Sequence, residues 1–148
     1  RETPLWLDLK GSTRRLAEAV LGELPPERRV TMSSRSWPVL APARRHGVRT
    51  MRSVGSRWQL WAVLCIRRWT RTDGIVIDQR FLSGSRLDQL AGRSSWLIAW
   101  GVRDLERASE LITAGVDGLI LDDLDLINDV RNRHAGAASE RSGAWSAE

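Results

Sequence analysis

The sequence predicts an α/β protein built on a parallel sheet. Short runs rich in Leu, Val and Ile alternate with longer segments of helical period, and capping or turn residues stand at many of the junctions. The first run, Leu5–Leu9, is a strand, and Ser12 is placed to cap a helix that presents Leu16, Ala19 and Val20 and ends near Gly22. Arg29–Ser33 is the second strand. Ser36 before Trp37-Pro38 marks a helix start and Gly47 its end. After the strand Val48–Ser53, Trp58, Trp61, Cys65 and Trp69 recur at helical spacing, which predicts that this face packs on the sheet. Gly74–Ile77 and Ser95–Trp100 are the next strands. Asp104 then caps a helix presenting Leu105, Ala108, Leu111 and Ile112, with Gly115 where a left-handed residue closes it. Gly118–Leu121 is the sixth strand, and a last short helix is expected over Asp123–Val130. Arg131–Glu148 holds one large apolar residue, Trp145, and reads as a disordered tail behind one domain of residues 1–130.

Composition narrows the function. At 148 residues the chain can bury one core but falls short of the roughly 250 residues of a complete (β/α)8 barrel. The apolar run Trp61–Ile66 is far too short to span a bilayer, so no transmembrane segment is expected. Arg1-Glu2-Thr3-Pro4 offers neither a starting Met nor a secretory pattern, which reads as a cut start; a cytoplasmic protein is expected. A lone Cys65 excludes an intrachain disulfide and a cysteine zinc cluster. The net charge of +5 comes from basic residues that include a single lysine, Lys10, and the arginines are scattered in pairs without forming one stripe, so no nucleic-acid partner is expected.

In parallel α/β sheets chemistry gathers at the C-terminal strand ends. There stand Asp8 with Lys10, Ser33 with Ser34, Asp78 with Gln79, Trp100 with Arg103, and Asp122 with Asp123. Asp8 and Lys10, two residues apart on one strand, share a face. If that face is the sheet's interior, they either form a structural ion pair or bind ligands, a metal on Asp8 and a phosphate on Lys10.

The stretch Trp100-Gly-Val-Arg-Asp-Leu-Glu106 followed by Leu111-Ile-Thr-Ala-Gly-Val-Asp-Gly-Leu-Ile-Leu-Asp-Asp123 resembles the C-terminal signature of the glycerophosphodiester phosphodiesterase family. Leu7-Asp-Leu-Lys10 is similar to that family's Glu-Ile-Lys strand, Val30–Ser34 to its Ser-Phe strand, and Thr72–Ile77 to the strand after its Ala-Asp-Gly. The resemblance, over about residues 5–128, implies a partial (β/α)8 TIM-type barrel of about six βα units without its N-terminal strands. It also implies a metal-dependent phosphoric diester hydrolase of lipid metabolism that splits glycerophosphodiesters into glycerol 3-phosphate and an alcohol. By the same resemblance Asp8 is a metal ligand for Mg2+ or Ca2+, Lys10 faces the substrate phosphate and Trp100 lines the substrate pocket. Gly101 and Arg103 depart from the family's Thr and Asn, and Asp122 matches the Asp after its last strand. The family's two catalytic histidines and its other two metal acids belong to motifs that precede the Glu-Ile-Lys strand. They are not in this sequence, and His46 and His134 stand elsewhere, so the chain alone is expected to be inactive. The alternative is a non-catalytic degenerate barrel that binds an anionic lipid or polymer.

Overall fold

A computed structural model describes residues 4–25, 29–65, 72–91 and 94–141. Six strands, β1 (Leu5–Asp8), β2 (Val30–Ser34), β3 (Arg49–Val54), β4 (Gly74–Asp78), β5 (Trp96–Trp100) and β6 (Gly118–Ile120), pair in sequence order and all in parallel. They form a curled half-barrel, and every strand predicted from the sequence is present within one residue at each end. Among the described residues six α-helices cover it: α1 (Arg14–Glu23), α2 (Ala41–Arg45), α3 (Arg57–Cys65), α4 (Ser85–Ala91), α5 (Leu105–Thr113) and α6 (Leu124–Arg141).

Alternation along each strand divides the sheet into two faces. Leu7, Met32, Val54, Ile75, Ile77, Leu97 and Ala99 point to the helices and join two apolar clusters with Ala17, Leu40, Leu60, Leu90 and Leu111. The opposite face carries Met51, Val76 and Ile98, flanked by Trp6, Trp96 and Trp100. Strand ends on this second face are where the candidate residues stand.

The N-terminal ends of β4 and β6 begin in the same way. Asp73 and Asp117 each precede the first glycine of a strand, and each makes a two-point clamp on the neighbouring strand. The Asp73 amide donates to Thr50 O (3.2 Å) while its Oδ2 accepts from Thr50 N (2.7 Å). Asp117 repeats the arrangement on Leu97, at 2.8 Å for both bonds. Both clamps lie one residue before the ladders Met51–Gly74 and Ile98–Gly118, and so extend each ladder by one step. At Gly74 a side chain would stand 3.0 Å from Met51 Cε and from Trp96 Cβ and O, so the crossing of β3, β4 and β5 requires glycine there.

Four expectations are corrected. The residue preceding α1 is Thr13, not Ser12, and it makes no side-chain capping bond. Ser36 makes none either, and the segment after it opens as a 3-10 turn over Trp37–Leu40, because Pro38 and Pro42 both interrupt the helical hydrogen-bond pattern. Trp58, Trp61 and Cys65 face outward, the two indoles at 62% and 60% exposure, while Gln59, Leu60, Ala62 and Val63 are buried. The helix is apolar nearly all round, so its period does not select a face; the hydrogen bonds of Gln59 set its rotation. Trp69, the fourth member of that row, lies outside the described residues.

The fourth correction concerns the end of the chain. The last helix continues past Val130 to Arg141, with a kink at His134. Alanine-rich sequence favours helix without needing a core. Arg133 also bonds Glu106 (3.1 Å) and Ser109 (3.3 Å) on α5, and His134 Nε2 lies 3.2 Å from Ser109 Oγ. Residues 142–148 lie outside the described residues. Removing residues 131–148 is expected to lower the thermal midpoint by only a few degrees, because exposed polar contacts are worth about 0.2–1 kcal/mol each; a larger drop in a melting curve would show that this segment packs more deeply.

Asp104 caps α5 as predicted, accepting from Arg107 N at 2.8 Å, and Gly115 follows with φ +93°. Asp104→Ala should therefore cost about 1 kcal/mol, read from urea unfolding. Among the described residues no helix is long and apolar enough to cross a membrane.

Candidate functional site

The loops after β1 and β2 build the site. Asp8 ends β1 opposite Ser33, and Lys10 lies two residues on. The carboxylate is held from two sides: Ser33 Oγ donates to Oδ1 (2.9 Å), and Lys10 Nζ pairs with Oδ2. Ser33 in turn accepts from Trp6 Nε1 (3.0 Å), so an indole, a hydroxyl, a carboxylate and an ammonium form one chain. The Lys10 side chain is 82% exposed and that of Asp8 39%, so the pair sits in water's reach and is worth at most about 1 kcal/mol. Its value lies in placement, since Lys10 holds a cation at the mouth.

A cleft of about 460 Å³ opens beside the pair, lined by Asp8, Lys10, Gly11 and Ser12 on one side and Ser34, Arg35 and Ser36 on the other. Ser34 is buried, donating to Leu9 O (2.8 Å) and accepting from Ser36 N (3.1 Å), and so joins the two loops that make the walls. Arg35 leaves this cleft and crosses the mouth: its Cζ lies 4.9 Å from the centre of the Trp100 ring. Arg35 thus lines the cleft beside the Asp8–Lys10 pair and reaches the Trp100 ring. The Trp100 Nε1 is buried without a hydrogen-bond acceptor among the described residues.

Sequence reasoning overlooked Arg35 and the residue that positions it. Gln59, buried at the start of α3, donates from Nε2 to Arg35 O (2.9 Å) and accepts at Oε1 from Gly55 N (2.9 Å) and Ser56 Oγ (3.2 Å). It ties the turn after β3 to the turn after β2. The signal was present as Ser56-x-x-Gln59, the pattern of a capping box, with Ser56 Oγ accepting from Gln59 N (3.4 Å).

The other strand-end candidates have structural work. Asp78 takes a fork of bonds from Arg80, at 2.6 to 3.0 Å, and also accepts from Arg80 N. That hydrogen bond holds its carboxyl below the ordinary 3.8, against the opposing effect of burial, and Arg35 contributes from across the mouth. The resulting stabilisation is complete above 3.8 and is lost as pH falls through the lower folded value. Gln79 accepts from Arg107 on α5 (2.9 Å). Asp123 caps α6, accepting from Asp125 N (2.8 Å) and Leu126 N (3.3 Å). Arg103 and Asp122 lie at the surface rim without a role that the structure identifies.

A second cavity, about 230 Å³, lies on the helix-covered side between Trp37, Pro38, Arg44, Arg52 and Thr72. Burial and then the nearby Arg44 lower the Arg52 guanidinium to about 10, and its side chain covers the Trp37 ring at 5.2 Å. It is on the other face of the sheet from the mouth.

The same architecture occurs in a solved enzyme. A phosphodiesterase of Oleispira antarctica, in complex with the product sn-glycerol-3-phosphate, superposes with a TM-score of 0.56 at 19% sequence identity. The match covers 86% of this chain and 49% of that one, so the chain spans about half the length of its structural neighbour. No family model matches the sequence, and neither does any curated protein. At this identity the likeness establishes the half-barrel and its strand order.

The residues present do not by themselves suit a divalent cation. Asp8 offers one carboxylate, both of whose oxygens are engaged, and no group of three His, Cys, Asp or Glu side chains stands together among the described residues.

Proposed function

We propose that the chain supplies the phosphate-binding part of a phosphoric diester hydrolase barrel of the glycerophosphodiester phosphodiesterase type. One observation carries the reading: the acid–base pair Asp8–Lys10 stands at the C-terminal end of an inward-facing strand position, in a cleft that an arginine links to Trp100. In barrels of parallel strands that end is where substrates bind. The neighbour's bound product, a glycerol phosphate, is the kind of anion such a cleft would hold.

Hydrolysis forms a P–O bond from water and breaks the P–O bond to the alcohol, moving one proton off the water and one onto the leaving oxygen. Lys10 is placed to offset charge on the non-bridging oxygens, and Trp100 to wall the organic part. Neither histidine serves the proton transfers. His46 closes α2, ahead of the opposite end of β3, and His134 rests on Ser109 of α5. A divalent cation at Asp8 would need further oxygen ligands and release of Lys10 from the carboxylate. The chain alone therefore binds glycerol phosphate without hydrolysing its diesters.

Titration with sn-glycerol 3-phosphate, followed by NMR, tests this. Amide shifts at Lys10–Ser12 and Ser34–Ser36, together with a shift of the Trp100 indole N–H, are expected. Shifts confined to other surfaces would refute the site. Steady release of glycerol 3-phosphate from glycerophosphocholine by the purified chain would refute the division of labour. The non-catalytic reading, a degenerate barrel for anionic lipid or polymer, is favoured by the closed Asp8–Lys10 pair and would show as tighter binding to anionic vesicles than to glycerol phosphate.

A further inference from the structure

Arg35 and Trp100 lie on β2's exit and the end of β5, three strand spacings of about 4.8 Å apart along the sheet. Curling of the sheet and a long side chain bring the guanidinium onto the indole at 4.9 Å. The path between them is kept open by Gly55. A methyl group built there would stand 3.1 Å from Arg35 Nε, 3.2 Å from Cζ and 3.4 Å from Nη2, so the guanidinium lies directly against the glycine's backbone. Gln59 fixes both ends of this arrangement, holding Arg35 by its carbonyl and Gly55 by its amide. The planar head is thus packed between a backbone and a ring. No described side chain or carbonyl accepts a hydrogen bond from it, while the neighbouring arginines Arg80 and Arg107 each spend their forks on protein oxygens.

We infer that Arg35 is a second phosphate-binding residue of the mouth, presenting its guanidinium fork to two non-bridging oxygens of a phosphate ester that Lys10 contacts from the opposite wall. This rests on the phosphodiesterase reading above and deepens it by naming a second group that grips the phosphate. An ammonium is a point charge, whereas a held guanidinium matches the spacing of two oxygens on one phosphorus. Stacking on Trp100 and packing on Gly55 fix the plane in advance, which reduces the ordering cost of binding. Arg35→Met keeps the stem and removes the fork; Arg35→Lys keeps the charge and removes the geometry.

The test is calorimetric binding of sn-glycerol 3-phosphate to the full chain, its Arg35→Met, Arg35→Lys and Lys10→Met variants, with circular dichroism confirming that each folds. A roughly tenfold loss in Arg35→Met is expected, the worth of one charge-assisted pair, with Arg35→Lys recovering only part of it. If a variant fails to fold, Gly55→Val replaces it, since the added side chain pushes the guanidinium off its seat without removing it, and a comparable loss is expected. Wild-type affinity in Arg35→Met, or in Arg35→Lys, with binding lost in Lys10→Met, would overturn the assignment of Arg35 and leave the phosphodiesterase reading standing. Absence of binding by the unaltered chain would overturn both.

Discussion

Replacing Asp73 and Asp117 together by alanine is expected to lower the unfolding free energy by about 2–6 kcal/mol, if the two sites add as separate clamps usually do. Each carboxylate accepts from the amide of a buried strand residue, Thr50 or Leu97, at 2.7 and 2.8 Å. Truncation leaves that amide without an acceptor at the point where the ladder has not yet begun, and an unsatisfied buried donor costs about 1–3 kcal/mol. The paired asparagine variants keep an acceptor oxygen and should lose less than half as much. Urea unfolding of the single and double variants reads the effect. Equal losses for alanine and asparagine would show that charge is what matters, and no loss would show that water takes over. The cleft at the other end of the strands should be unaffected, with glycerol 3-phosphate bound as in the unaltered chain.

These two aspartates show what part of a resemblance concerns folding. The Thr-Asp-Gly at 72–74 and Val-Asp-Gly at 116–118 were legible in the sequence as family-like motifs. They stand at the N-terminal ends of β4 and β6, where recurring residues in such sheets serve stability. The strands were readable because each is a short run carrying apolar residues, β2 to β5 between two neighbouring strands and β1 and β6 paired on one side only. The rotation of α3 was not, because a helix apolar on every side carries no periodic signal, and the two exposed tryptophans took the place in the reading that belongs to Leu60 and Val63.

The site was legible in part for the same kind of reason. Asp8 and Lys10 could be found by strand parity, since residues two apart share a face whatever the fold. Their mutual pairing is a contact of sequence neighbours and was one of the two roles that their spacing allowed. Arg35 could not be found in this way. It is one of many arginines, and what distinguishes it is a ring contributed 65 residues later and a glycine 20 residues later, both brought to it by the curl of the sheet.

Gln59→Leu is the substitution that should connect fold to function at this mouth. Leucine fits the buried position by size, so little apolar packing is lost, but three hydrogen bonds disappear: those to Arg35 O, Gly55 N and Ser56 Oγ. The first two leave partly buried main-chain groups, for a cost of about 1–3 kcal/mol in total after allowing for the water that can reach them. The larger consequence is geometric. The turn after β2 and the turn after β3 are no longer tied, Gly55 no longer backs the guanidinium, and Arg35 loses its seat over Trp100. Binding of sn-glycerol 3-phosphate should therefore weaken by about as much as in Arg35→Met, roughly tenfold, although Gln59 lines no part of the cleft. In a double-mutant cycle Gln59→Leu should add little to Arg35→Met, because both remove the same presented fork. Independent, additive losses would show that Gln59 acts on the cleft by another route, and a loss of stability with unchanged affinity would confine its role to the fold.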